Sequence, residues 1–315
     1  MRNNYRSKIA KGRLQMGNCR YKLAPLIFLF SFSFLLLTFL SASGGHTSAD
    51  FLGVGVGARA VSLGEAYCAV SDNTDAVYWN PGGLTQVKGS AVSFTHLQYI
   101  SGIRYGNISF AAPYQKGNIG VEINTLYTED TRRGADGNKI DDFMNYNTAV
   151  TVAYAFEMAD KMSVGIGLKG IYLKFDDDTS GGAAVDAGVL YKANKSIKFG
   201  LAIQNIGTKI SGAELDTNLR CGVSYKIMNN WFAACDVNVS VEGSESIGLG
   251  SEYAIKGIVP VRVGYKYRSG GNDLGGPDGL CAGLGVNIKS YSLDYAFVPF
   301  GEFDTTHRVS LGVKW

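Results

Sequence analysis

The sequence predicts an all-β fold: a transmembrane antiparallel β-barrel of about fourteen strands, with an N-terminal plug (hatch) inside its lumen. Composition is the first reason. The 315 residues include 41 Gly, 18 Tyr and 16 Phe but only 6 Pro, and 18% are charged. Average proteins hold roughly 7% Gly and 25% charged residues, so the chain is turn-rich and charge-poor, with no long helical period. The second reason is an apolar/polar alternation of period two from Ser90 to Trp315, the pattern of strands with two unlike faces. The third is the order of the connections, which alternate between short and longer along the chain.

Residues 1–43 read as a signal peptide. Arg2, Arg6, Lys8, Lys11, Arg13, Arg20 and Lys22 precede a nearly unbroken apolar run, Leu26 to Leu40, and Ser41-Ala42-Ser43 supplies small residues for cleavage. That is the order of a secretory leader. Removing its seven basic residues leaves 23 basic against 27 acidic residues, a net charge of −4, which gives no argument for nucleic acid. Export leaves Cys68, Cys221, Cys235 and Cys281 where disulfides are permitted. Cys221 and Cys235 flank one predicted hairpin, and their spacing leaves open whether they bridge.

Residues 44–88 are the predicted plug, because they alone lack the strand pattern. Gly53, Gly55 and Gly57 permit backbone conformations closed to other residues, so this stretch can fold tightly. Asp72 or Asn73 can cap a short helical turn through Val77 and Tyr78. Pro81 ends that turn, since the residue before proline avoids the helical region. Arg59, Glu65, Asp72 and Asp75 are expected to pair with inward charges such as Glu122, Arg262, Lys266 and Arg308.

Residues 89–315 are the predicted barrel, with strands near 90–99, 103–113, 117–127, 143–156, 162–175, 183–192, 196–206, 215–226, 230–240, 246–255, 260–268, 279–288, 290–298 and 306–315. Most approach the 9–11 residues a tilted strand needs to cross a bilayer. In 261–268, Val, Val, Tyr and Tyr oppose Arg, Gly, Lys and Arg. A soluble sandwich would show the same alternation. Short turns at one rim and longer polar loops at the other, such as Thr128–Asp142, Asp176–Gly182 and Ser269–Asp278, favour a membrane barrel. So do aromatics near strand ends, where rings prefer the membrane–water interface: Tyr99, Tyr114, Tyr127, Tyr172, Tyr191, Tyr225, Trp231, Tyr291 and the terminal Trp315. A fourteen-stranded ring is wider than strand side chains can fill. Small inward residues (Gly120, Gly165, Gly167, Gly248, Gly250, Gly264, Gly312) widen it further. Near Gly170 the alternation slips into Ile171-Tyr172-Leu173, read as a bulge or kink or as a locally two-sided apolar strand.

No residue set points to catalysis. No Ser or Cys stands beside His96 or His307 as a nucleophile–base pair demands. Gly53-Val-Gly55-Val-Gly57 lacks the βαβ unit of a dinucleotide loop, and the acidic run Asp176–Asp178 reads as a solvated loop. The expectation is a non-enzyme without cofactor or metal.

Gly57-Ala58-Arg59-Ala60, Leu63-Gly64-Glu65-Ala66, Asp72, and Asp75-Ala76-Val77-Tyr78-Trp79-Asn80-Pro81-Gly82-Gly83-Leu84 resemble the opening of the PorV/PorQ family of outer-membrane proteins. That family is similar to the FadL fatty-acid transporters, fourteen-stranded barrels with an N-terminal hatch and an Asn-Pro-Ala element. Gly82 stands where Ala is usual, and Ser62-Leu63 where Gly-Met is common. The resemblance implies an outer-membrane location and a role in type IX secretion. Exported cargo proteins and other secretion components would then be partners, docking on Thr128–Asp142 and Ser269–Asp278. The hatch residues would be Gly57, Arg59, Gly64, Asp72, Trp79, Asn80, Pro81 and Gly82, with Trp315 as the barrel-end signal. The alternative the resemblance carries is a FadL-like passage for hydrophobic small molecules, long-chain fatty acids among them, through a gap in the wall once the hatch shifts.

Overall fold

A computed structural model describes residues 47–98, 102–240, 244–269, 278–299 and 305–315. The expected leader, Tyr99 and most of Ser269–Asp278 lie outside the described residues. Fourteen antiparallel strands close into one ring in sequence order. They are β1 (Ala91–Gln98), β2 (Arg104–Tyr114), β3 (Gly117–Arg133), β4 (Lys139–Ala159), β5 (Met162–Phe175), β6 (Asp178–Lys192), β7 (Ile197–Gly207), β8 (Asn218–Met228), β9 (Trp231–Ser240), β10 (Glu245–Ile255), β11 (Val259–Arg268), β12 (Leu280–Ile288), β13 (Tyr291–Pro299) and β14 (Thr305–Lys314). All fourteen predicted strands are present. β1 and β14 close the ring from Ala91↔Lys314 to Gln98↔His307, and Ser90 and Trp315 exchange two backbone hydrogen bonds of 2.9 Å at the seam. No edge is left unpaired, which is the reason to close a sheet.

The period-two pattern sorts the side chains. Outward positions expose apolar groups, such as Leu168 at 63% and Val263 at 56%, while inward positions bury polar ones, such as Asp236 at 2% and Arg262 at 3%. An apolar outside around a polar inside is the reverse of a water-soluble barrel.

Two long polar loops turn out to be strand. β3 and β4 stay paired through Thr131↔Asp142 and Arg132↔Asp141, so only 134–138 turns the expected loop Thr128–Asp142. β5 and β6 are likewise joined by Asp176 and Asp177 alone. Nothing in those stretches breaks a strand, and charged cross-strand pairs such as Arg132 with Asp141 at 3.1 Å support the ladder. Polar composition marked where the outer apolar surface ends, not where pairing ends.

The slip near Gly170 is not a kink. β5 keeps its register on both sides through Gly170. Ile171 is buried with Phe51 and Leu52 in an apolar cluster that Leu173 packs against, and Tyr172 points out. The strand is apolar on both faces there because an inner segment covers it. Register shifts fall elsewhere, among them one between β6 and β7, where Gln204 and Asn205 oppose Asp186. Asn205 has φ 62. Its N–H donates to Asp186 Oδ1 at 2.7 Å and its Oδ1 accepts from Lys169 Nζ at 2.6 Å. Lys169 also pairs with Asp186 at 2.9 Å in a buried ion pair. Cys221 and Cys235 are free thiols. Each faces a valine across the β8–β9 pair, Val237 and Val223, so the two thiols do not oppose each other.

Asn205→Ala should lower the unfolding midpoint more than Asn205→Gly. Both lose the Lys169 bond, but only alanine adds about 1 kcal/mol of left-handed strain. Equal midpoints in urea denaturation of the detergent-solubilised protein would remove the strained bulge from the account.

Candidate functional site

The described part of residues 44–88 holds two short helices, α1 (Ala58–Ser62) and α2 (Ala76–Trp79), and two 3₁₀ turns, Asp50–Gly53 and Pro81–Gln86. The segment touches inward side chains on strands all round the ring. Ala58 N–H donates to Ser310 of β14 at 2.9 Å, Ser109 of β2 donates to Thr74 at 2.7 Å, and Asn118 of β3 donates to Val87 O at 2.8 Å. Thr85 bonds Ser163 of β5 at 2.8 Å, Asn80 Nδ2 donates to Val189 O of β6 at 3.0 Å, and Gln204 of β7 donates to Tyr78 O. Asp236 of β9 accepts from Tyr67 and Cys68 N–H at 2.9 and 2.7 Å.

Pro81 does end α2, but it also opens the 3₁₀ turn after it. Asn80 is the hinge, extended at φ −165, with its side chain accepting from Gly82 N–H and donating to Cys68 O at 2.9 Å. One buried side chain thus ties three pieces of backbone together. No side-chain cap forms on α2; Asn73 Oδ1 instead accepts from Asp75 N–H at 3.1 Å. Trp79 donates Nε1 to Val56 O at 3.0 Å and lies under the Arg220 guanidinium, 4.7 Å from its ring centre.

Four of the inward glycines, Gly165, Gly248, Gly250 and Gly264, admit the backbone of this segment, while Gly120 faces the Val77 and Leu84 side chains and Gly167 and Gly312 face neighbouring strands. A Cβ on Gly264 would strike Gly64 N and Leu63 C, and Gly64 itself, at φ 65, faces the carbonyls of Tyr265 and Leu249. On the opposite wall a Cβ on Gly165 would strike Pro81 and Gly82, and one on Gly188 would meet Asn80 and Pro81. Two sockets hold the segment at backbone-to-backbone distance, which only glycine allows.

The expected ion pairs are part right. Glu65 meets Lys266 at 2.5 Å. Arg59 pairs with Asp72, in its own segment, at 2.6 Å and with Glu252 of β10 at 2.8 Å. Glu252 and Asp294 then bind Arg262 at 2.6 and 2.7 Å. Arg308 reaches the segment by donating to Gly55 O, and Glu122 accepts from Asn107 of β2 at 2.8 Å. Asp236, Glu252, Gln204 and Arg220 also hold the segment or its partners, and each stands on an inward face of the alternation, where other polar residues of the same strands hide them from sequence reading. Burial works against ionised Glu65 and Asp72, yet Lys266 and Arg59 hold both carboxyls at about 2. Asp75 has no cation beside it. Burial pushes its carboxyl up to about 6 despite the 2.9 Å bond from Asn73, and its Oδ1 has no partner among the described residues.

Where β11 to β14 meet the segment at the long-loop rim lies a cavity of about 340 Å³, lined by Gly55, Val61, Glu65, Lys266, Val298 and Arg308 among others. It has both apolar walls and paired charges. His96 and His307 sit on neighbouring strands, as expected, but face outward; His307 Nδ1 bonds the Tyr295 hydroxyl at 2.7 Å. Asp176 and Asp177 are engaged by Arg132, and the described residues hold no cluster fit for a metal ion.

No known family profile matches the chain, and no curated protein matches it in sequence. Solved structures match in fold. The Ralstonia pickettii toluene transporter TbuX superposes with a TM-score of 0.60 at 13% identity, over 83% of this chain and 98% of that one. The Pseudomonas putida toluene transporter TodX gives 0.58 at 11% identity, over 82% and 96%. A Pseudomonas aeruginosa FadL homologue gives 0.53 at 10% identity, over 80% and 97%. The fold is that of the FadL-type fourteen-stranded barrels.

The pH dependence of the inner segment follows from these shifts. Asp75 is raised, so the stability it contributes is present at low pH and lost as pH rises through about 6. Glu65 and Asp72 are lowered, so theirs is present above the ordinary carboxyl range and lost as pH falls towards 2. Amide protection factors in residues 54–87, corrected for the intrinsic pH dependence of exchange, should therefore be highest near pH ~4–5. Asp75→Asn should flatten the limb between about pH 4 and 7 while keeping the acid limb. An unchanged upper limb in that variant would show that Asp75 is not its source.

Proposed function

We propose that the chain is an outer-membrane barrel through which hydrophobic small molecules pass, with residues 44–88 as its plug. What carries the reading is the cavity between the inner segment and β11–β14 at the long-loop rim. Its volume lies at the lower end of the roughly 300–1,000 Å³ typical of small-molecule sites. The apolar outside supports a bilayer around the ring, since lipid demands that every strand edge be paired. The fold match supports passage, because TbuX and TodX are named as toluene transporters. Hydrophobic solutes would enter the cavity and pass when the plug loosens from its sockets. The described wall has no break beside the cavity, so movement of the segment is the step that opens a way.

A second reading, a type IX secretion component of PorV/PorQ kind, rests on the motif from Gly57 to Leu84. What favours it in the structure is the β3–β4 hairpin, whose exposed Glu129, Asp130 and Asp136 offer a polar docking surface for exported cargo. The motif itself tells less, because Gly57, Arg59, Gly64, Asp72, Trp79, Asn80, Pro81 and Gly82 all have packing or bonding roles inside the ring. Co-purification from solubilised envelopes separates the two: secretion proteins on the barrel favour the second, bound hydrophobic compound the first.

Cells carrying the protein should take up labelled toluene or long-chain fatty acid faster than cells lacking it. Arg59→Ala, which releases Asp72 and Glu252, should change that rate. Equal uptake of both probes with and without the protein would end the transport reading. For the bilayer, Leu168→Arg should cost about 2–4 kcal/mol in vesicle refolding; a cost below ~0.5 kcal/mol, typical of a water-exposed site, would mean that this face does not meet lipid.

A further inference from the structure

The ring gathers lysines that the sequence scatters. At the rim where the chain ends, five of the six turns carry one: Lys116, Lys161, Lys195, Lys256 and Lys289. The sixth, Asn229-Asn230, has Lys226 on the strand entering it. Lys192 and Lys198 flank the β6–β7 turn, Lys314 ends β14, and Lys88 precedes β1. Against these ten lysines, the same turns and the three strand residues either side of each hold two carboxylates, Glu157 and Asp160. Among the described residues only Lys192 has one within ion-pair reach, Glu157 at 3.8 Å. The opposite rim mixes both signs and pairs them, as in Arg132 with Asp141 and Lys209 with Glu214.

Local turn chemistry does not account for the lysines. Lys256 and Lys289 have φ 51 and 53, in the left-handed region where hairpin turns favour Asn and Gly. A lysine there costs on the order of 1 kcal/mol. The lysines also have a fixed place relative to the outer surface. Just inside them lie exposed rings on the outward face: Tyr114, Tyr225, Trp231, Tyr253, Tyr291 and Trp315. Aromatic rings settle at the membrane–water interface, and a lysine one step further out reaches the lipid phosphates with its charge while its stem stays among the tails.

We propose that this rim is a binding surface for anionic lipid headgroups, and that its lysines, except Lys198, which donates inward to Gln86 Oε1 at 3.0 Å, form a ring selecting phosphatidylglycerol-like lipids in the leaflet they touch. The ring shape identifies the partner. The charge runs right round the barrel rather than over one side, and the leaflet is the one partner that surrounds it. The inference rests on the bilayer reading above.

The test uses the purified protein in phosphatidylcholine vesicles, with spin-labelled phosphatidylglycerol or spin-labelled phosphatidylcholine reporting which lipids the barrel immobilises. The expected result is a severalfold preference for phosphatidylglycerol at ~0.1 M salt that vanishes near 1 M, where the Debye length falls to about 3 Å. The combined variant Lys116→Gln, Lys161→Gln, Lys256→Gln and Lys289→Gln should lose most of the preference. Lys139→Gln, Lys174→Gln and Lys209→Gln at the opposite rim should keep it. Lys256→Asn with Lys289→Asn guards against misfolding, because asparagine suits those turns; that variant should fold at least as well and still lose part of the preference. Equal immobilisation of the two lipids, or a preference that survives the four substitutions, overturns the inference and leaves the bilayer reading standing. Immobilisation of neither lipid overturns both.

Discussion

The structure depends on how closely two backbones can approach. Gly64 and Gly82 press against Gly264, Gly165 and Gly188 on opposite sides of the ring, and at those points a single Cβ would separate segment from wall. Close packing at two opposed sockets fixes where the segment sits. The polar bonds then fix its orientation, because a buried donor or acceptor without a partner costs about 1–3 kcal/mol. The ring is also shaped by its filling: a wall of large inward side chains would have no place for residues 54–87.

This arrangement bears on passage. A segment bonded to β2, β3, β5, β6, β7, β9 and β14 does not drift aside as a unit, since all those bonds would have to open together. Local loosening is cheaper. The portion facing the cavity, from Gly53 to Val56 and around Glu65, is held by polar contacts, Lys266 on Glu65, Arg308 on Gly55 O and Trp79 on Val56 O, and by Val56, Val61 and Leu63 in an apolar cluster with Trp79. The other side, from Tyr67 to Leu84, carries the apolar clusters of Trp79, Tyr67 and Leu84. Asp75 is a liability inside the segment, a buried carboxyl with no ion pair among the described residues.

The two rims differ in a way that composition hides. A net charge of −4 for residues 44–315 describes neither end, because lysine is concentrated at one rim and paired charges at the other. Charge arguments about partners have to be made on the folded surface.

The sequence alone determined the strands, their number and the segment that is not strand. These depend on local rules: a two-residue period, glycine-rich turns, and a stretch where the period fails. It also determined the order of the ring, because short connections between antiparallel strands leave one way to close it. The tertiary structure decided what needs two distant residues at once. The Asp236 bond to Tyr67 spans 169 positions, and no spacing rule links them; that inward glycines such as Gly165 and Gly264 are sockets rather than gaps depended on what lay opposite. A bulge fell at Asn205 rather than Gly170 because Lys169 and Asp186 hold it there, while Ile171 is satisfied by Phe51 and Leu52. Local pattern says which way a side chain points. Only closure says what it meets.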